Sequence, residues 1–286
     1  MKAAIILNRE GVAQEIVLDI CKTLTDLDIL PCFQEEYSEE YTRPFVHLPF
    51  DKIMTDCDVI LAIGGDGTIL HAAKQAAFNN KKVLGINCGR LGYTAGLESD
   101  ELELLKALKS GEYNVDKRMM LEVDVIGATG QKSTYYCVND AVISKGALSR
   151  IIDITVCFDS KAKTSYRSDG IIVSTPTGST AYSMSAGGPI LDPGINGIIV
   201  TPICAHSFFT RPMVLNPDAE VTIAATVRND SESYLTIDGE KAIKLRNDSK
   251  VVVRRAKEYT ADLIKIKNDN FLQILHKKMI ERRSGN

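Results

Sequence analysis

Asp58-Val59-Ile60-Leu61-Ala62-Ile63-Gly64-Gly65-Asp66-Gly67-Thr68 sets five consecutive apolar residues ahead of three glycines grouped around one aspartate. An apolar run of that length suits a parallel strand covered on both faces. Helical spacing follows from about residue 68 to 78, so the glycines sit in a turn between a buried strand and a helix, the joint of an α/β unit. Glycines let a backbone pass close to a ligand and adopt positive φ. The helix start aims unpaired N–H groups and the positive dipole end at that ligand, and phosphate is the usual guest. An aspartate there repels an anion unless it takes a proton from an attacking hydroxyl or meets the phosphate through a metal. The same letters also read as a plain turn with Asp66 as helix N-cap.

Outward from this joint, residues 3–7 form a second buried-strand run and Val12, Ile16, Ile20 and Leu24 recur at helical spacing. A short strand over residues 83–87 and a helix over 100–108 continue the alternation, which predicts an α/β N-terminal domain with a parallel sheet. The pattern changes between residues 111 and 117. Beyond it come short β-branched and aromatic runs at 121–126, 133–144, 151–158, 171–174, 198–203, 221–227, 234–237 and 250–254, separated by turn residues. They predict a C-terminal β-rich domain, antiparallel and sandwich-like. Helical spacing returns at residues 270–283. The expected divisions are therefore 1–115, an α/β nucleotide-binding domain; 116–267, a β-rich dinucleotide-binding domain; and 268–286, a C-terminal helix packing back on the first domain.

Composition narrows the function. The 286 residues carry 34 Lys plus Arg against 37 Asp plus Glu, a net charge of -3, which lacks the electrostatic footprint of a general nucleic-acid binder. No apolar stretch suits a signal peptide or a membrane span. The seven cysteines contain no Cys-x-x-Cys pair and the four histidines are scattered, so a disulfide framework and a structural zinc site are disfavoured and a cytoplasmic location is expected. There is no Gly-Lys dipeptide for a Walker A loop, Leu70 stands where Gly-x-Gly-x-x-Gly needs its third glycine, and Asp-Phe-Gly and Gly-x-Ser-x-Gly are missing.

Two further stretches stand out. Arg167-Ser168-Asp169-Gly170 leads into a strand and then Thr175-Pro176-Thr177-Gly178-Ser179-Thr180-Ala181-Tyr182-Ser183, with Ser185 and Gly187-Gly188-Pro189 after it; eight of the twelve residues from 174 to 185 carry a hydroxyl. Hydroxyls and exposed N–H groups can bind a ligand rich in ribose and phosphate, and Tyr182 could stack on a base; a Ser/Thr-rich loop before a capped helix is the plainer reading. Asn139-Asp140 breaks the alternation of its strand, so at least one of the two faces inward, where a ligand's hydroxyls would satisfy it; a β-bulge explains the pair as well. His206 reads as a core or interface histidine. Lys277, Lys278, Arg282 and Arg283 read as a solvated helix end.

These motifs, in this order, resemble the NAD kinase family over residues 1–267. Gly-Gly-Asp-Gly is shared with lipid kinases and phosphofructokinases, but the stretch from Asp169-Gly170 through Tyr182 is specific. Asn87-Cys88-Gly89-Arg90-Leu91-Gly92-Tyr93 and Lys117-Arg118-Met119-Met120-Leu121 look like two further segments of the family. The resemblance implies transfer of the γ-phosphoryl of ATP to the 2′-hydroxyl of the adenosine ribose of NAD, giving NADP, with Mg²⁺ or another divalent cation accompanying ATP. It makes Asp66 the base, and Gly64, Gly65 and Gly67 the phosphate loop. Asn139 and Asp140 would hold ribose hydroxyls; Thr177, Thr180, Ala181, Tyr182, Ser183 and Ser185 would line the dinucleotide site; Asp169 would lie near the nicotinamide end. His71, Arg150 and Arg167 fall at substrate-contact positions, and Asp238 matches a late aspartate near the active site. A homodimer or homotetramer is implied, with no nucleic-acid or membrane partner. Two departures are Asp140, shorter than the family's usual Glu, and Gly239, where some members carry a contacting side chain. Two rivals predict different outcomes: a lipid kinase should act on lipid acceptors, and a non-catalytic dinucleotide sensor should bind without turnover.

Overall fold

The structure is a computed structural model that describes the chain except residues 9–10, 43, 90–91, 148–149, 207–209, 228–231, 269 and 285–286, and describes the backbone alone from residue 278 to 284. Arg90 and Leu91 of the glycine-rich segment, and the side chains of Lys278, Arg282 and Arg283, thus lie outside the described residues; Lys277 is exposed. The chain forms two compact units, Met1–Lys117 with Ala261–Asn286, and Arg118–Thr260. The sequence reading set its divisions at 115/116 and 267/268.

The first unit runs β1 (Lys2–Leu7), α1 (Gln14–Asp26), β2 (Leu30–Gln34), β3 (Val46–Leu48), α2 (Phe50–Asp56), β4 (Val59–Gly64), α3 (Asp66–Ala77), β5 (Lys82–Asn87), β6 (Leu97–Glu98) and α4 (Lys106–Ser110). Its strands are parallel in the order β3-β2-β1-β4-β5, with β6 also beside β5. All six residues of β4 are buried, because helices cover both faces of such a sheet. α1 buries Val17, Ile20, Cys21 and Leu24, one stripe at helical spacing. The strand order reverses between β1 and β4, and the crevice beyond the carboxyl ends of parallel strands at such a switch is where α/β sheets bind ligands. Gly64 and Gly65 sit at the carboxyl end of β4.

The second unit holds most of β7 (Asn114–Ile126), then β8 (Lys132–Cys137), β9 (Asp140–Lys145), β10 (Ile152–Phe158), β11 (Ala162–Ser168), β12 (Gly170–Ser174), α5 (Tyr182–Ser185), β13 (Ile198–Ile203), β14 (Met213–Leu215), β15 (Val221–Thr226), β16 (Ser233–Ile237), β17 (Lys241–Leu245) and most of β18 (Lys250–Lys265). One antiparallel sheet has the order β14-β13-β12-β9-β16-β17; β11-β10-β15-β18 form another, with β7 and β8 attached. A single core takes Leu121 and Ile154 from one sheet and Ile143, Ile171 and Leu235 from the other, which makes the unit sandwich-like. The end of β18 belongs to the first unit, where Asp262 and Leu263 pair in parallel with Lys82 and Val83 of β5. α6 (Phe271–Ser284) follows.

The predicted helix over 100–108 is a 3-10 turn at Leu102–Leu105 followed by α4, which Gly111 ends in the left-handed conformation at φ 75°. α3 begins at Asp66, earlier than the sequence pattern placed it, with Gly65 rather than Asp66 as its N-cap. The run over 133–144 breaks at Val138 and Asn139 into two strands. His206 is exposed, not in the core, because it lies past the end of β13, where its N–H donates to the Arg167 carbonyl at 2.8 Å. Cys21, Cys32, Cys57 and Cys137 are buried and Cys204 is exposed.

Candidate active site

In the first unit the site is the turn from β4 into α3. Gly64 has φ +154°, and a Cβ there would lie 2.7 Å from Thr68 Oγ1, so only glycine fits. At Gly65 and Gly67 a Cβ would meet nothing within 4 Å, and both residues are exposed. The protein's own packing therefore leaves open space above the first turn of α3, the end of a helix at which backbone N–H groups point outward. His71 is exposed one turn further on.

Asp66 is the first residue of α3, and its carboxylate is held from the loop beyond β5. Oδ1 accepts from Tyr93 N (2.8 Å), Thr94 N (3.0 Å) and Thr94 Oγ1 (2.6 Å); Oδ2 lies 3.0 Å from Tyr93 N. Gly92 permits this approach, since a Cβ there would stand 2.7 Å from Oδ1. The same loop is tied to β5 through Asn87, whose Nδ2 donates to Glu98 Oε2 at 2.6 Å. Burial pushes the Glu98 carboxyl above the usual range. No local sequence signal marks Thr94 and the backbone of Tyr93 as holders of Asp66; the glycine-rich segment ending at Tyr93 is the nearest pointer to them.

In the second unit the site gathers around Asp238. Asp238 and Gly239 have φ 50° and 73°, and Glu240 N donates back to Ile237 O at 3.0 Å; this is the Asp-Gly hairpin turn between β16 and β17. The turn delivers the Asp238 carboxylate to the break between β8 and β9. There it accepts from the N–H groups of Val138 (3.1 Å), Asn139 (2.8 Å) and Asp140 (3.2 Å), while its own N–H donates to Asp140 O at 3.0 Å. Asp238 is thus the organiser of the Asn139-Asp140 pair. Asn139 is half-buried and Asp140 is 5% exposed. Burial, with the Asp238 charge second, pushes the Asp140 carboxyl up to about 7.

The hydroxyl-rich loop packs on the same break. Thr175 N donates to Asn139 O at 2.9 Å, Thr175 Oγ1 to Val138 O at 2.5 Å, and Gly178 N to Thr175 Oγ1 at 3.0 Å. Arg118, 4% exposed, donates from Nη1 to Thr177 Oγ1 at 3.3 Å. Many of the hydroxyls face inward. Ser179 Oγ bonds the backbone of Leu191, and Ser183 Oγ lies 2.9 Å from Thr201 Oγ1 with both side chains fully buried. Thr180 and Ala181 are half-buried; Tyr182, 47% exposed, and Ser185 open to solvent. Asp169 Oδ1 pairs with Lys145 Nζ at 2.7 Å, Arg167 Nε with Asp153 Oδ1 at 3.3 Å, and Arg150 is exposed. The structure thus brings Asn139, Asp140, Asp238, Thr177 and Gly178 together; among the described hydrogen bonds and ion pairs none joins Arg150, Arg167 or Ser185 to them. Among the described residues no three His, Cys, Asp or Glu side chains gather in a way that could hold a metal ion, and no helix is long and apolar enough to cross a membrane.

Comparison with known proteins agrees with both halves. The chain matches the family models described as "ATP-NAD kinase N-terminal domain" over residues 8–113 and "ATP-NAD kinase C-terminal domain" over residues 138–266. It is 43% identical over 232 residues to the NAD kinase of Carboxydothermus hydrogenoformans, covering 81% of this chain and 82% of that protein. It is 34% identical over 277 residues to the NAD kinase of Desulforamulus reducens, covering 96% of each. Two solved structures share the fold. Yeast NADH kinase complexed with NADH has a TM-score of 0.87 at 22% identity, over 96% of this chain and 86% of that one. An NAD kinase from Archaeoglobus fulgidus in complex with ATP has a TM-score of 0.75 at 24% identity, over 97% and 98%.

Proposed function

The chain belongs to the NAD kinase family, and on that premise we propose which of its residues carry the reaction. The protein transfers the γ-phosphoryl of ATP to the 2′-hydroxyl of the adenosine ribose of NAD, giving NADP. The single observation that carries the assignment of roles is the Asp66 carboxylate, fixed by Tyr93 and Thr94 at the start of α3 beside open space over Gly65 and Gly67.

Phosphoryl transfer is mostly positioning and charge neutralisation. The polyphosphate lies over Gly64, Gly65 and Gly67, against the N–H groups and positive end of α3. ATP enters with Mg²⁺ or another divalent cation, which would come with the nucleotide substrate and supply positive charge at its phosphates. Asp66 takes the proton of the 2′-hydroxyl as that oxygen bonds to the γ-phosphorus, and the bond from the γ-phosphorus to the bridging oxygen breaks to release ADP. Asn139 and Asp140, held by Asp238, receive ribose hydroxyls of NAD. Thr177, Thr180, Ala181, Tyr182, Ser183 and Ser185 shape the dinucleotide site, Ser183 from its buried bond to Thr201 and Tyr182 by offering its ring. Asp169 acts near the nicotinamide end, and His71, Arg150 and Arg167 contact substrate. The protein works in the cytoplasm as a homodimer or homotetramer.

The test is NADP formation from NAD and MgATP by wild type and Asp66→Asn. The wild type should turn over and the variant should lose activity by about 10²–10⁴-fold, the usual contribution of a positioned base. Equal rates would remove Asp66 from the chemistry, and binding of NAD without turnover by the wild type would favour a sensor.

A further inference from the structure

The end of the chain returns to the first unit and places a cation on the loop that holds Asp66. Lys265, the last residue of β18, donates from Nζ to the carbonyl oxygens of Ala95 at 2.7 Å and Thr94 at 3.3 Å. Thr94 is the residue whose N–H and hydroxyl both reach Asp66 Oδ1, and it is 2% exposed. Carbonyls shielded from water need a partner, and a bond from a charged donor is about twice as strong as a neutral one. Neighbouring contacts close the loop against the returning segment: Gly96, where a Cβ would lie 2.6 Å from Ile264 O; Lys267, paired with Glu101 at 2.7 Å; and Tyr93, whose ring centroid is 6.3 Å from that of Phe271. Among these, Lys265 alone bonds the Thr94 carbonyl itself.

We propose that Lys265 is a positioning residue for phosphoryl transfer: its ammonium fixes the Thr94 and Ala95 peptides, and through Thr94 the orientation of the Asp66 carboxylate. The proposal rests on Asp66 being the base. Nothing in the reaction needs Lys265 to touch either substrate. Its removal frees the loop to shift, and a misplacement of about 1 Å at a reacting group costs on the order of 100-fold in rate.

The test uses the full chain with Lys265→Met, Lys265→Arg and Lys265→Ala, the first in both wild-type and Asp66→Asn backgrounds. Lys265→Met should lower kcat by on the order of 10–100-fold and leave KM for NAD and ATP within about twofold, since only the transition state loses an aligned base. Lys265→Arg should recover most of that loss. Lys265→Ala should regain activity with added propylammonium, for which a cavity of about 210 Å³ lined by Gly92, Ala95, Gly96 and Lys267 opens beside the missing side chain. In the Asp66→Asn background Lys265→Met should add no further loss, because residues that act as a unit are non-additive. Wild-type kcat in Lys265→Met, a rise in KM alone, or a loss that adds fully to that of Asp66→Asn overturns the proposal. Wild-type turnover by Asp66→Asn alone instead overturns the reading of Asp66, and does so whatever the Lys265 variants show. A variant that merely unfolds would lose its melting transition and fail to respond to propylammonium, which also counts against positioning.

Discussion

Single residues in this protein carry more than one duty, and Asp140 shows the consequence. Its carboxyl is pushed up to about 7 by burial first and by the Asp238 charge second. The native state therefore keeps a proton that the unfolded chain, titrating near its ordinary value of about 4, has already released. The stability tied to this group is complete below about pH 4 and is lost as pH rises through about 7, an effect of up to about 4 kcal/mol. Asp140→Asn has no such proton to lose. Denaturant midpoints of wild type and variant at several pH values between 4 and 8 should converge or cross as pH rises, the wild type declining relative to the variant; parallel curves would show that Asp140 is ordinary. Asp238 teaches a related lesson. Resemblance to the family singles it out as a late aspartate, but its grip on three consecutive N–H groups has no local signal, because the partners lie about 100 residues earlier in the chain.

At the scale of elements, the hydroxyl-rich loop is held by its glycine as much as by its hydroxyls. A Cβ at Gly178 would stand 2.1 Å from Asn139 O and 2.6 Å from the carbonyl carbon, and backbone atoms cannot give way as a side-chain tip can. Gly178→Ala should therefore cost about 1–3 kcal/mol, the usual range for overpacking. It should also abolish thermal stabilisation by NAD while leaving that by MgATP, as differential scanning fluorimetry would read. An unchanged melting midpoint would mean the loop moves freely off Asn139. Elements differed in how clearly they could be read. β4 and β12, all apolar apart from their ends and buried throughout, stood out from composition. β11 did not: Ala162-Lys163-Thr164-Ser165-Tyr166-Arg167-Ser168 is polar and mostly exposed, because it is the outer strand of its sheet. The helix read over 100–108 dissolved into a 3-10 turn and a short helix, since Leu102, Leu104, Leu105 and Leu108 satisfy either spacing and only their packing decides.

For the whole molecule, the outcome depends on the chain's return. A protein ended at Thr260 loses the Asp262 and Leu263 pairs to β5, the Lys265 bonds, and the buried Leu263 and Ile264 side chains, each 1% exposed. At about 1.5–3 kcal/mol for each large buried side chain, the first unit should lose some 3–6 kcal/mol while Arg118–Thr260 keeps its own core. Calorimetry should then show one transition shifted far down and another near its original place; a single shared shift would mean the units unfold together.

Local pattern determined a good deal without any structure. Runs of apolar letters, glycines at a strand-to-helix joint and a change from helical to strand period within one chain are short-range properties, and they sufficed for an α/β unit followed by a β-rich one and for the family. The tertiary structure decided the rest, because it depends on partners far apart in sequence. Thr94 meets Asp66 across 28 positions, Arg118 meets Thr177 across 59, and Lys265 meets Ala95 across 170. No local pattern encodes such pairs; each exists because a fold driven by burial of apolar surface brings together polar groups that must then satisfy one another.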